Sequence, residues 1–319
     1  MKRLLIFLCL PLIFISCGEK QPEPISDEQM EVLGYLPKDT QFLMYANLSE
    51  LRKTAHWKNF LQSTIRPDRT SDWLSEFEKE TGMGLSKGIK EVYTSSAWDG
   101  NNIIVVTFDS KPGQVKSYFE NSKKFYPEEL EGKRIYSSFE NRESKFYFSD
   151  DSALIIVKND EYLAKLISGK NESLKKNEKF ISIIKNITNK NHYWLATDQG
   201  SFAATLIKMV MGTRQDFSAN KIMTKIDNIT LAAEFSDEVQ IETILGCKDE
   251  KSAFLLSTAI RSAVAMNLFS DSSYILGEIM EKLDVERKSK NLNLEITITE
   301  KDILQLQDFA KKRQTDKNL

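Results

Sequence analysis

Apolar positions along the chain recur with two periods, one of two residues and one near 3.6, and they predict an ordered series of strands and helices. The first strand is predicted over residues 41–47 (QFLMYAN). A helix over 48–65 follows, with Leu48, Leu51, Trp57, Phe60, Leu61 and Ile65 on one side. Residues 71–82 (SDWLSEFEKETG) read as a second helix, capped by Ser71 and stopped by Gly82. EVYTSSAW and NIIVVTF flank Asp99-Gly100 and predict a hairpin. A helix is expected over 113–126 after Pro112, then strands near 133–139, 144–149 and 153–158, with a turn at Ser149-Asp150-Asp151-Ser152. DEYLAKLI and NEKFISIIKNI are helical in pattern.

At His192 the order begins again. NHYWLATD reads as a strand, QGSFAATLIKMVM as a helix, and DNITLAAEF and VQIETILGC as a hairpin about Ser236-Asp237-Glu238. A long helix over 250–269, a shorter one over 272–283, a strand pair (DVERKSK, LNLEITIT) and a closing helix over 300–313 complete the series. The expected fold class is α+β: two tandem halves, 35–190 and 191–313, each an antiparallel sheet with helices on one face in a split βαβ-like order. Tyr45-Ala46-Asn47 matches Leu195-Ala196-Thr197 in position, which points to an internal repeat of shared ancestry.

The N-terminus follows neither period. In LLIFLCLPLIFISCGEK an apolar run begins after Lys2 and Arg3 and stops at Cys17. The run is too short to span a bilayer, which takes about 20 apolar residues, and has the layout of a secretory signal peptide. Phe14-Ile15-Ser16-Cys17 resembles the lipobox of bacterial lipoproteins, although Phe14 stands where Leu or Val is usual. The resemblance implies cleavage before Cys17 and a diacylglycerol on its thiol, with further acylation (a palmitate-type anchor). Residues 1–16 are then the signal peptide, 17–34 the lipidated cysteine and a polar tether, and 314–319 a tail. No Asp follows Cys17, so the commonest inner-membrane retention signal of such lipoproteins is missing and the outer membrane is expected. YLPKDTQFLMYANLSELR, through Leu36, Pro37, Asp39, Thr40, Asn47 and Leu48, resembles the opening of a group of exported bacterial proteins built from domains of unknown function. FSDDSALIIVKNDEYLAKLI is similar to a later part of that group. This resemblance implies a tandem α+β ectodomain and brings no activity with it.

Composition narrows the classes further. Removal of residues 1–16 leaves 303 of 319 residues and takes the formal charge from −2 to −4, because Lys2 and Arg3 leave with them. An acidic balance argues against nucleic acid. With Cys17 lipidated and Cys9 removed, Cys247 is the one remaining thiol, so no internal disulfide is expected. The only histidines, His56 and His192, sit in apolar stretches without zinc-site spacing, and no metal or cofactor is expected. GMGLSKG (82–88) has a helix before it and a strand after it, the reverse of a dinucleotide-binding loop. No Gly-x-Ser-x-Gly elbow occurs, and Ser201 reads as a first-turn residue. The carboxylates Asp150-Asp151 and Glu76, Glu78 and Glu80 read as turn and solvated-helix residues.

The Ala-, Ser- and Met-rich helices are the most suggestive feature. Phe202, Leu206, Met209, Phe254, Leu255 and Met266 are candidates to wall an apolar groove, although a plain core role is favoured. The expected function is that of a membrane-anchored envelope lipoprotein with a non-catalytic, protein-binding or structural role. A carrier or sensor of an apolar ligand is the alternative, and an enzyme whose site assembles only in three dimensions is the third reading.

Overall fold

The computed structural model describes residues 25–58, 72–97, 102–110, 112–139, 143–149, 153–185, 187, 192–200, 224–265, 274–306 and 308. The strands are β1 (Phe42–Asn47), β2 (Ile89–Ser96), β3 (Asn102–Phe108), β4 (Phe125–Leu130), β5 (Lys133–Ser138), β6 (Lys145–Ser149), β7 (Ala153–Val157), β8 (Tyr193–Thr197), β9 (Ile226–Phe235), β10 (Val239–Cys247), β11 (Asp284–Lys288) and β12 (Asn291–Ile298). The helices are α1 (Asp27–Leu33), α2 (Leu48–Leu51), α3 (Asp72–Thr81), α4 (Gly113–Asn121), α5 (Asp160–Ile167), α6 (Glu178–Ile184), α7 (Glu250–Ala265) and α8 (Tyr274–Glu281).

The class is α+β, and the sheet is antiparallel at every strand pair. The finer arrangement differs from the expectation in three ways. First, the two halves share a single 12-stranded sheet, ordered β11-β12-β10-β9-β8-β1-β2-β3-β7-β6-β5-β4. The first strands of the halves pair with each other, Tyr45 opposite Trp194, and their rings stack at 5.1 Å. Second, the strand order outward from this seam is not split βαβ. It reads β1-β2-β3-β7-β6 on one side and β8-β9-β10-β12-β11 on the other, with the β5–β4 hairpin added to the first half.

Third, helices cover both faces of the sheet. On one face Leu43, Tyr45, Tyr93, Ile155, Trp194 and Ala232 form the main core with Leu33 of α1, Leu163 of α5, Phe180 of α6, and Leu174 just ahead of α6. On the other, Phe77 of α3 and Val115, Tyr118 and Phe119 of α4 pack on Val106, Phe146 and Phe148. In a third cluster, Ala253 and Leu256 of α7 pack on Leu245, Cys247 and Leu292. The cause lies in the strands themselves: NIIVVTF and ALIIV are nearly continuous apolar runs, and such strands require cover on both sides.

Local chemistry explains the other departures. The helix expected over 48–65 breaks after one turn, because the Thr54 hydroxyl donates to the Leu51 carbonyl (2.8 Å) and accepts from the Trp57 N–H (3.2 Å), capping a new turn. The helix expected over 113–126 ends at Asn121, and Phe125 begins β4 with its ring 4.3 Å from Phe119. Residues 27–33, assigned to the tether by sequence, form α1. Ser26 and Gln29 make a reciprocal capping box, and Val32 and Leu33 are buried. Gly82 (φ +66) ends α3 in the left-handed conformation that favours glycine, as expected.

Candidate functional site

A cleft of about 950 Å³ opens where the 34–40 segment crosses the start of α5 and residues 170–178. The two walls are joined by side-chain hydrogen bonds between residues 127 to 139 positions apart in the chain, and by backbone bonds beside them. The Lys38 N–H donates to the Glu172 carbonyl (2.9 Å) and the Leu174 N–H to the Leu36 carbonyl (2.8 Å). The amides of Asn171 and Asn177 donate to the carbonyls of Gly34 (3.1 Å) and Lys38 (2.8 Å). The Tyr162 hydroxyl donates to the Tyr35 carbonyl (2.8 Å), and burial pushes its pKa up. Two asparagines also cap helices: Asn159 accepts from the Tyr162 N–H and Asn177 from the Phe180 N–H, both at 3.0 Å. The cleft is therefore preformed.

Its charges are balanced. Lys38 pairs with Glu172 (3.4 Å) and Lys165 with Glu161 (2.6 Å). Lys170, Lys176, Asp39 and Glu178 also line the cleft, and none of the four makes an ion pair among the described residues.

Two buried polar clusters lie elsewhere in the sheet. The Glu91 carboxylate accepts from Tyr45 (2.9 Å) and Tyr93 (3.1 Å), and burial followed by the Glu91 charge raises both phenols. Near the β4 edge of the sheet, Lys145 Nζ donates to Glu128 (2.8 Å) and to Ser137 Oγ (2.9 Å). A serine beside a lysine serves nucleophilic chemistry when the amine is neutral and can accept the proton. Burial works against the charge on Lys145, but Glu128 and Asp160 outweigh it and hold its pKa above the usual value. Ser137 is fully buried. The cluster is an ion pair under the sheet surface.

The residues singled out in the sequence are placed as follows. His56 is buried and His192 half-buried, and both rings lie edge-on to Phe235, at 6.1 and 6.0 Å. His192 Nδ1 accepts from the Phe235 N–H (3.0 Å), and burial lowers its pKa. Cys247 is a buried free thiol pushed up to about 11 by burial, with Asp227 and Asp249 adding to the effect. Of the groove candidates, Phe202, Leu206, Met209 and Met266 lie outside the described residues, as do Cys17, Ser71 and Ser201. Phe254 (52 % exposed) and Leu255 (44 % exposed) sit on the outer side of α7, turned from the face that packs on the sheet. The Arg287 guanidinium covers the Phe254 ring at 5.6 Å. Among the described residues, no His, Cys, Asp and Glu side chains group to hold a metal ion, and no helix is long and apolar enough to cross a membrane.

No protein-family model matches the chain, and no curated protein matches its sequence. Among solved structures the chain is similar to TP0453. Crystal form I superposes with a TM-score of 0.51 at 12% identity, over 85% of this chain and 94% of that one. Crystal form III gives 0.50 at 11% identity, over 84% and 93%. At that identity the similarity shows a shared fold.

The cleft escaped the sequence reading. Asn159 and Asn177 each stand just before an acidic residue, the local signal of a helix start. Nothing local joined them to Pro37-Lys38-Asp39, because the juxtaposition arises from hydrogen bonds across a long chain separation.

Proposed function

We propose that this protein is a lipid-anchored component of a bacterial cell envelope, held at the outer membrane through Cys17, and that it binds another envelope protein and performs no catalysis. The observation that carries the reading is the lipobox-like Phe14-Ile15-Ser16-Cys17 placed just ahead of a helix locked into the core. Ser26, the cap of α1, lies nine positions beyond Cys17. Fully extended, that stretch reaches about 30 Å at most, so a lipid on Cys17 keeps the sheet close to the bilayer. Two or more acyl chains anchor stably, whereas one holds marginally. The charged and amide residues lining the described cleft suit a polar protein partner.

Membrane fractionation of Cys17→Ser tests it. The variant is expected to lose the lipid mass at its N-terminus and to leave the membrane fraction or accumulate unprocessed. Unchanged fractionation overturns the anchor.

A further inference from the structure

We propose that the cleft between residues 34–40 and 159–178 binds a short polar peptide segment carrying both a carboxylate and an amine. The inference rests on the protein-binding reading above and assigns it a site.

Lys170 and Lys176 stand in the cleft with Asp39 and Glu178, two cations and two anions without ion-pair partners among the described residues. The flanking pairs, Lys38–Glu172 and Lys165–Glu161, neutralise themselves. A polyanion or an anionic membrane surface would meet as much repulsion as attraction here. A neutral sugar would leave all four charges without a counter-charge, and desolvating a charge without a partner is costly. A peptide bearing an acidic and a basic group complements both signs.

Geometry supports the same conclusion. The hydrogen bonds that tie the two walls fix them before any ligand arrives, so little ordering is required on binding. The volume, about 950 Å³, lies in the range of ligand pockets. The four side chains are exposed, so their substitution leaves the core intact.

Fluorescence polarisation tests the site, using the purified full chain in detergent and the labelled tetrapeptide Ala-Glu-Lys-Ala. Ala-Gln-Gln-Ala and chitotetraose serve as comparison ligands. The charged tetrapeptide is expected to bind at least about tenfold more tightly than its uncharged counterpart. The Lys170→Gln/Lys176→Gln variant is expected to lose about tenfold in affinity with its thermal unfolding unchanged. Equal binding of the two peptides, no binding, or preferential binding of chitotetraose overturns the proposal. Because the assay reads binding apart from lipidation, an unbound tetrapeptide alongside a lipidated Cys17 removes the cleft and leaves the anchor. Binding by a protein that proves unlipidated leaves the cleft and removes the anchor.

Discussion

Glu91 shows what single residues contribute to this fold. It is a buried carboxylate beside the main core, and its described side-chain donors are the phenols of Tyr45 and Tyr93. A buried acceptor stripped of its donors carries a desolvation cost of about 1–3 kcal/mol, and more when it is charged. Tyr45→Phe or Tyr93→Phe alone leaves one donor in place. The double variant leaves neither, so its loss of stability is expected to exceed the sum of the single losses. Adding Glu91→Gln is expected to recover part of it by removing the charge. Urea titration followed by the fluorescence of Trp194, buried and stacked on Tyr45, measures all four. Additive single losses, or no recovery when Glu91→Gln is added, would contradict the account. At this scale the sequence was informative about types and silent about partners. A lone thiol at Cys247 and two histidines in apolar stretches could be read there, but not what they pack against. That two tyrosines and a glutamate on adjacent strands converge depends on register, which no single strand encodes.

Among the elements, the face of the second half's sheet turned away from α7 carries a row of acids. Glu242 of β10 lies opposite Glu295 of β12, which lies opposite Asp284 of β11. Glu234 stands on β9 opposite Gln240, next in that face, and Lys288 of β11 is the nearby cation. Burial and then the Glu295 charge raise the pKa of Glu242, with Lys288 opposing them. A carboxyl whose pKa is higher folded than unfolded binds its proton more tightly in the folded state. The penalty is therefore complete above the raised value and disappears as pH falls below the unfolded one. Glu242→Gln is expected to stabilise the protein at pH 7 by about 0.2–1 kcal/mol, the range for like charges facing across strands. The gain should shrink toward pH 4; thermal unfolding at both values checks it, and a gain independent of pH would refute it. Helices and strands with strong periodicity were legible, α5, α6, α7 and the hairpins β2–β3 and β9–β10 among them. Two signals went unread. Ser26-Asp27-Glu28-Gln29 has the spacing of a capping box and announces α1, and the unbroken apolar runs of β3 and β7 announce cover on both faces. β4 could not be read locally, because FYPEEL carries charges and a proline suited to the sheet edge where it lies.

For the molecule as a whole, the seam between β1 and β8 decides the behaviour. Residues of both halves share the main core, Tyr45 and Tyr93 from the first with Trp194 and Ala232 from the second. The two halves are expected to unfold together, giving one calorimetric transition matched by the change in tryptophan emission. Two resolved transitions would show that the seam does not couple them. The strand order running outward is the same on either side of this seam, with the β5–β4 hairpin added on one side. What the sequence left open was how the repeats join, since pairing of their first strands spans about 150 residues of chain. That distance has a kinetic meaning. A chain made from its N-terminus forms β1 early and pairs it with β2, but the other edge of β1 has no partner until residues 193–197 emerge. Through that interval the nascent first half presents an unpaired apolar strand edge, the kind of surface on which chains associate with one another. Closing it is a slow, non-local step, so the exposed edge passes from β1 to β8 and is covered only when β9, residues 226–235, has followed.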